Sequence, residues 1–260
     1  MEQMMSHPVT YVYGVASAEQ FLNGHPPLRV PGIGGLGVPV RTIAFEDLVA
    51  VVSDVPGSRF DLTRENLLEH QRVLDEVLRR SDVLPFSFGT VADNDDEVRE
   101  MLLREGFDAL HAQLESVRGC VELEVKAFWE QEPLFAEIAQ ENEEVRALRD
   151  SIPGLPEDEA AVARINLGQL TEAEIELKSS WEADAVLEIL EPISAEVLVT
   201  TNLSDMMLLN AAFLVERARE REFDDAMEAL AAARADRLVF SYVGPIPPYS
   251  FINLAFGAEG

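Results

Sequence analysis

Strand-like and helix-like segments alternate in two stretches of this chain, and a long acidic helical stretch separates the two. In the first stretch, β-branched, aromatic or alternating runs predict strands at residues 9–15, 40–45, 48–53, 83–91 and 121–129. Apolar residues at helical spacing predict helices at residues 64–80 and 98–117. This mixture of a hairpin, further strands and packed helices is typical of an α+β domain.

Short motifs refine these segments. Ser17 and Gln20 fit a capping box for a short helix, and Thr63 is the expected N-cap of the helix at 64–80. The first long helix has its apolar residues at Leu67, Leu68, Leu74, Val77 and Leu78. The second has them at Val98, Met101, Leu102, Leu110, Leu114 and Val117. In the strand at 121–129, the odd positions are apolar and predict the buried face, whereas Glu122, Glu124 and Lys126 predict the polar face.

The acidic middle and the last third predict a second domain. Residues 130–150 are helical and acidic, and the residues 153–156 break that helix. Thr171 and Glu174 fit a capping box that opens a helix running to about Leu190. Strands are predicted at residues 196–201, 206–215 and 238–243, with a helix at 217–233. This order covers most of a ferredoxin-like plan. We therefore expect an α+β protein with two domains, an N-terminal α+β domain at 1–130 and, at 131–260, a helical segment plus a ferredoxin-like domain with an extended tail.

The charge excludes some partners. Asp and Glu number 48 against 20 Lys and Arg, so the formal net charge is -28. Such a field repels nucleic acid and anionic membrane surfaces. The charge is typical of a solvated, solubilising surface, and the alternative is an acidic patch that docks a basic partner. Arginine exceeds lysine, which fits either a salt-rich cytoplasm or a GC-rich genome.

No pattern of residues predicts catalysis, a cofactor or a metal. The string at 32–37 matches G-x-G-x-x-G, but a strand follows it where a dinucleotide site needs a helix N-terminus, so we predict a flexible loop. The four histidines lack metal-ligand spacing and are expected at the surface or partly packed. The acidic run at 93–97 lacks the spacing of a calcium loop and is expected to cap a helix. Cys120 is expected in the core. We expect no transmembrane helix and no signal peptide, and hence a soluble, cytoplasmic protein.

Two segments are unusual for a plain core and are candidates for binding a partner. Residues 84–90 place Pro85 inside an apolar strand, and residues 244–251 combine prolines with two aromatic side chains. The candidate contact residues are Phe86, Phe88, Pro248, Tyr249 and Phe251. The alternative for the second segment is packing on its own domain. The apolar run at 206–215 is instead typical of a buried central strand.

Seven pieces of the chain, in order, resemble the GvpF/GvpL family of gas vesicle proteins. They are residues 11–14 (YVYG), 48–53 (LVAVVS), His70 with Val73 and Leu74, 84–90 (LPFSFGT), 121–126 (VELEVK), 210–215 (NAAFLV) and 244–251 (GPIPPYSF). The resemblance covers nearly the whole chain. Many members carry Trp where Ile246 stands, and residues 130–191 match only loosely.

The resemblance implies an accessory protein of gas vesicle formation, a minor vesicle component without enzymatic activity. Its implied partners are the shell protein GvpA and other gas vesicle accessory proteins, and its implied location is the gas vesicle in the cytoplasm. A two-domain α+β fold with a ferredoxin-like C-terminal part is implied as well. The alternative is a small-molecule-binding or enzymatic protein on a ferredoxin-like scaffold. An enzyme would show a cleft of converging, abnormally titrating groups, whereas a binding protein would show an apolar or edge-strand surface.

Overall fold

The computed structural model describes residues 8–34, 38–56 and 61–253. The chain divides into two compact units: unit 1 runs to Glu122 and resumes at Pro245, and unit 2 is Leu123–Gly244. Within the described ranges, no helix is both long and apolar enough to cross a membrane. Three expectations concern residues outside these ranges. They are the absence of a leader at residues 1–8, of which only Pro8 is described, the loop at residues 35–37, and the tail beyond Asn253.

Unit 1 contains one antiparallel sheet, several helices and a π-helical turn. The strands are β1 (Pro8–Ser17), β2 (Val40–Phe45), β3 (Leu48–Pro56), β4 (Val83–Pro85) and β5 (Val91–Ala92). The helices are α1 (Ala18–Leu22), α2 (Arg64–Leu78), α3 (Asp95–Glu97), which continues as a π-helical turn (Val98–Arg104), and α4 (Phe107–Ser116). The strand order is β2-β3-β1-β4, and β5 also pairs with β1. The long strands β1 and β3 therefore lie at the centre of the sheet, and most of their residues are buried.

A β-bulge at Tyr13 interrupts the pairing of β1 with β3. The register passes from Val12 opposite Val52 to Gly14 opposite Val51, so Tyr13 is the extra residue. Gly14 follows it because no side chain fits there: a Cβ would lie 2.5 Å from the carbonyl oxygen of Leu84 in β4.

Unit 2 contains three helices between its first two strands. The elements are β6 (Cys120–Trp129, shared with unit 1), α5 (Gln131–Glu141), α6 (Glu143–Ser151), α7 (Glu157–Leu190), β7 (Glu196–Val199), β8 (Met207–Glu216), α8 (Glu220–Ala233) and β9 (Leu238–Ile246). The strand order of the sheet is β7-β8-β6-β9. β8 is internal to the sheet and almost wholly buried, as predicted for a central strand.

The α+β class and most elements are confirmed. The hairpin forms with Glu46 and Asp47 at its turn, and Thr63 caps α2 by accepting a hydrogen bond from the Asn66 N–H at 3.2 Å. Ser17 caps α1, but its capping box is incomplete because the Gln20 side chain bonds to Asp82. Cys120 is buried, as expected.

The prediction that a helix opens at Thr171 is wrong. α7 is continuous over 34 residues, and Thr171 lies inside it. Its hydroxyl donates to the carbonyl oxygen of Leu167, one turn earlier, at 2.7 Å. Threonine makes this bond in helix interiors, so a capping-box pattern alone does not mark a helix start.

The predicted strand at 83–91 is in fact two short strands joined by a turn. β4 ends at Pro85, β5 begins at Val91, and Gly89 between them has a φ of 90°. Glycine adopts that backbone conformation without the strain that a Cβ would bring. Both strands pair with β1, so the turn between them is held at the edge of the sheet.

Three expectations about which face is buried are also wrong. In α2, Leu67 and Leu68 are 40% and 45% exposed, and Glu69 and His70 are buried in their place. Met101 is 52% exposed, and Leu103 is buried instead. The π-helical turn, where the Glu105 N–H bonds to the Glu100 carbonyl five residues back, shifts the helical phase there.

The third wrong expectation concerns β6. Glu122 is fully buried, although it lies on the face of this strand that was predicted to be polar and exposed. Glu124 and Lys126 are partly exposed, as that pattern predicts.

Candidate functional site

Two of the five predicted contact residues line one groove in unit 1. Phe88 and Tyr249 are half-buried and border a groove of about 470 Å³. We call it the aromatic groove; its lining residues are Arg64, Leu67, Leu68, His70, Gln71, Phe88 and Tyr249. The other three predicted residues do not line it. Phe86 and Pro248 are buried, and Phe251 is half-buried in the turn Tyr249–Phe251.

The turn between β4 and β5 positions Phe88. The Phe86 N–H donates to the Tyr13 carbonyl at 2.9 Å, and the Val12 N–H donates to the Thr90 carbonyl at 2.9 Å. The Thr90 hydroxyl closes the turn by donating to the Ser87 carbonyl at 2.8 Å. These bonds hold the turn against β1, so Phe88 has a defined place beside the groove.

A buried cluster of polar aromatic side chains lies behind Phe88. The Tyr11 hydroxyl is 2.9 Å from Nδ1 of His70 and accepts a hydrogen bond from the Gly89 N–H at 3.0 Å. The Tyr13 ring stacks on the His70 imidazole with centroids 5.6 Å apart. The Tyr13 hydroxyl accepts from the Ile33 N–H at 2.7 Å and bonds to Ser53 at 2.9 Å. Each polar atom of the two tyrosines is therefore satisfied despite burial.

Burial keeps this cluster uncharged at neutral pH. It lowers the pKa of His70 to about 4, with a small opposing effect from the Phe86 backbone. It also raises the pKa of the Tyr11 and Tyr13 phenols well above their usual range. A neutral imidazole bonded to a neutral phenol avoids the large cost of a buried charge.

Apolar side chains of α2 form the outer part of the aromatic groove. Leu67 and Leu68 are exposed because the buried face of α2 runs through Glu69, His70, Val73 and Leu74. Glu69 tolerates burial because its carboxylate accepts a hydrogen bond from the Gly34 N–H at 3.0 Å. Two adjacent leucines therefore remain in solvent next to Phe88 and Tyr249.

The C-terminal segment of unit 1 is anchored by a buried carboxylate. Glu122 accepts hydrogen bonds from the Ser250 N–H at 2.8 Å and from the Ser250 hydroxyl at 2.6 Å. The Asn253 N–H donates to the Gln113 side chain at 3.0 Å. Burial, helped by the negative charge of Asp75, raises the pKa of the Tyr249 phenol above its usual range. Tyr249 is therefore held as a neutral, fixed side of the groove.

The aromatic groove offers surface for contact with another molecule. Among the described residues, no group of three or more His, Cys, Asp and Glu side chains could hold a metal ion. The His70 imidazole is uncharged at neutral pH and is hydrogen-bonded to the Tyr11 phenol. The groove offers apolar and aromatic surface with Arg64 and Gln71 among its lining residues.

The sequence patterns identified Phe88 and Tyr249 but missed the part of the groove on α2. Leu67 and Leu68 were expected on the buried face, and His70 was expected to be at the surface or only partly packed. A usable signal was present: the spacing of Val73, Leu74, Val77 and Leu78 extends back by one turn to Glu69 and His70.

Comparison with known proteins gives the same relatives by sequence and by structure. Residues 9–253 match the family described as "Gas vesicle synthesis protein GvpL/GvpF". The chain is 34% identical to gas vesicle protein F of Streptomyces sp. (strain CB03234), over 94% of this chain and 99% of that protein. The fold is similar to the crystal structure of GvpF from Anabaena sp. PCC7120, with a TM-score of 0.80, 23% identity and coverage of 96% and 100%. It is also similar to that of GvpF from Microcystis aeruginosa, with a TM-score of 0.76, 25% identity and coverage of 95% and 99%.

The family match spans almost every described residue, and the likeness of the fold covers both units of the chain. The two antiparallel sheets and the order of elements are thus those of a GvpF-like fold. The chain belongs to the gas vesicle GvpL/GvpF family.

Proposed function

We propose that this chain is an accessory protein of gas vesicle formation, a minor vesicle component that binds the shell protein GvpA and helps to nucleate or organise the shell. Its partners are GvpA and other gas vesicle accessory proteins, and it acts in the cytoplasm and at the gas vesicle. Nucleic acid and membranes are not partners, and it catalyses no reaction. Membership of the family supports the proposal, as does the net charge of -28.

The observation that carries the proposal is the pair of exposed leucines beside the aromatic groove. A gas vesicle shell consists of small apolar subunits with a face toward the gas, and such faces aggregate in water before assembly. Leu67 and Leu68 with Phe88 and Tyr249 offer apolar surface that covers part of such a face. The acidic remainder of the chain keeps the complex dispersed.

The five predicted contact residues have two roles in this proposal. Phe88 and Tyr249 contact the shell protein. Phe86, Pro248 and Phe251 hold those two side chains in place by packing within unit 1.

The contact is tested with the double variant Leu67→Ala, Leu68→Ala and a soluble fusion of the shell protein. Because both leucines are exposed, the variant is expected to keep its unfolding temperature and to bind at least about tenfold more weakly, a loss that corresponds to about 1.4 kcal/mol. Met101→Ala is the matched control, since Met101 is an equally exposed apolar residue of unit 1 outside the groove. Unchanged binding in the double variant would remove the groove from the contact.

The function itself is tested by deleting the gene in its host and imaging vesicles by electron microscopy. Loss of vesicles, restored by the intact gene, is the expected result. Normal vesicles in a strain that also lacks any paralogue would contradict the proposal. A deletion phenotype that the Leu67, Leu68 variant still complements would keep the function and reject the site.

We also infer that the sheet β7-β8-β6-β9 with α7 and α8 is ferredoxin-like, because the elements follow the order β-α-β-β-α-β. The two-domain division at 1–130 and 131–260 remains our proposal. Limited proteolysis tests it: stable fragments that meet near residue 130 would support it, and fragments that begin near residue 123 would contradict it.

A further inference from the structure

A second groove, of about 1150 Å³, lies within unit 2 and shares no residue with the aromatic groove. We call it the α7 groove. Its floor is the face of α7 from Arg164 to Ser179, and its sides are α5, α6 and residues 202–207, which end at the first residue of β8. Since a helix rises 1.5 Å per residue, the floor is about 22 Å long.

The middle of the α7 groove is lined mainly by apolar side chains, and Glu172 and Glu176 also lie on its floor. Its lining includes Phe135, Ala139, Val145, Leu167, Ile175 and Met206. The two hydroxyls on the floor are engaged within unit 2, because Thr171 donates to the Leu167 carbonyl and Ser179 accepts from the Trp129 indole at 2.8 Å. Gly168 lines the groove, and a Cβ there would meet no heavy atom within 4 Å. The groove therefore has room for apolar side chains above Gly168.

The walls indicate the backbone conformation of an occupant. The floor and two sides are helices, whose N–H and C=O groups are paired internally. They offer no strand edge to an extended peptide. An apolar occupant must therefore make its backbone hydrogen bonds internally, and a helix does so. A floor of about 22 Å matches a helix of about four turns.

The two ends of the groove differ in charge, and this sets the direction of the occupant. Arg149 and Arg164 lie at one end, where α6 leads into α7. Asp205 lies at the other end, near Ser179, because Trp129 bonds to both Ser179 and Met206. A helix carries partial negative charge at its C-terminus and positive charge at its N-terminus. Its C-terminal end is favoured at the arginines.

The arginines can change partners. Arg149 and Arg164 form exposed ion pairs with Asp150 at 2.8 Å and Glu157 at 3.0 Å. Such surface pairs contribute little to stability, so an incoming carboxylate competes at low cost.

We propose that the α7 groove binds an amphipathic helix of about four turns from a partner protein, with carboxylates in its last turn placed at Arg149 and Arg164. A second copy of this chain is disfavoured as the occupant because two surfaces with a net charge of -28 repel each other. This inference does not depend on the shell-protein contact at the aromatic groove.

The probe is a synthetic fluorescent peptide of 15 residues with leucines at helical spacing and three glutamates in its last turn. Its anisotropy on titration with the full chain is expected to give a micromolar Kd. A peptide of the same composition with a central proline is expected not to bind. Equal binding of the two peptides would overturn the helical occupant, and no binding of either would overturn the site.

Gly168→Leu tests the location. The new side chain fills the open space in the groove, and leucine favours a helix more than glycine does, so the unfolding temperature should not fall. Binding of the helical peptide should weaken at least tenfold. Gln169→Leu is the matched control, because Gln169 is exposed and lies outside the groove. Unchanged binding with Gly168→Leu would overturn the proposal.

A charge exchange tests the direction. In the double variant Arg149→Glu, Arg164→Glu, the peptide with glutamates in its last turn should bind more weakly, and a peptide with lysines there should bind more tightly than it does to the unchanged protein. If both peptides change by the same factor, the arginines do not contact that end of the helix.

Discussion

The buried carboxylate of Glu122 accepts two hydrogen bonds from Ser250, one from its N–H and one from its hydroxyl. The two residues are 128 positions apart, and both belong to unit 1. Glu122 lies on the face of β6 that alternation assigns to solvent, and the segment around Ser250 covers it. This contact favours packing of the C-terminal segment on its own unit, and it keeps Tyr249 beside the aromatic groove.

Ser250→Ala should destabilise unit 1. The substitution removes one donor from a fully buried carboxylate, and an incompletely paired buried group costs about 1–3 kcal/mol. Chemical denaturation of the variant should show a midpoint lowered accordingly. Ser241→Ala is the control, since Ser241 is an exposed serine of β9, and its midpoint should not move. An unchanged midpoint for Ser250→Ala would mean that the hydrogen bond from the Ser250 hydroxyl is not needed for stability.

Gly14→Ala should disturb the bulge in β1. The new methyl group would lie 2.5 Å from the Leu84 carbonyl oxygen, so β4 must move away. Overpacking of this kind costs about 1–3 kcal/mol, and thermal unfolding should begin at lower temperature. Gly154→Ala, where a Cβ meets no atom within 4 Å, should leave the unfolding temperature unchanged. Equal effects of the two substitutions would contradict this account of the bulge.

His70 should make the fold less stable as the solution becomes acidic. Its pKa is about 4 in the folded chain and near 6.5 when unfolded, so the unfolded chain binds the proton first. The stabilising effect of the neutral imidazole is complete above pH 6.5 and is lost as the pH falls toward 4. The free energy of unfolding lost over this pH range is of order 3 kcal/mol.

The measurement is the free energy of unfolding of the unchanged protein and of His70→Gln at several pH values between 7 and 4. The variant should be less stable at pH 7, and its stability should fall less steeply as the pH drops. His25→Gln, at an exposed histidine, should follow the unchanged protein. Parallel curves for His70→Gln and the unchanged protein would show that His70 does not cause the slope.

Local patterns predicted the parts of the fold that depend on local contacts. The hairpin of β2 and β3 follows from two apolar runs around a two-residue turn. The N-cap at Thr63 follows from its hydroxyl and the apolar spacing after it. Thr171 shows the limit: the same residue types occur at a helix start and in a helix interior, and only the Leu167 carbonyl one turn earlier distinguishes the two.

The faces of elements were predicted less well, because distant residues decide them. Glu69 and His70 are buried since Gly34 and Tyr11 supply hydrogen bonds from other segments. Leu67 and Leu68 are exposed as a consequence. The apolar spacing of α2 indicates this face only if the polar residues Glu69 and His70 are accepted as buried, and their distant partners decide that. Phe88 and Tyr249 were found because proline and aromatic residues together are unusual in a core strand. The assignment of the five predicted residues, two to the contact and three to its support, stays a proposal.

Repulsion among carboxylates should make the stability depend on salt. The chain has a formal net charge of -28, and sodium chloride shortens the range of that repulsion from about 10 Å at 0.1 M to about 3 Å at 1 M. The unfolding temperature at pH 7.5 should therefore rise over this range. The control is the same titration near pH 4.3, the isoelectric point, where the net charge vanishes and the rise should be much smaller. A flat response at pH 7.5 would show that repulsion does not limit stability, and the excess of arginine over lysine would then fit a GC-rich genome better than a salt-rich cytoplasm.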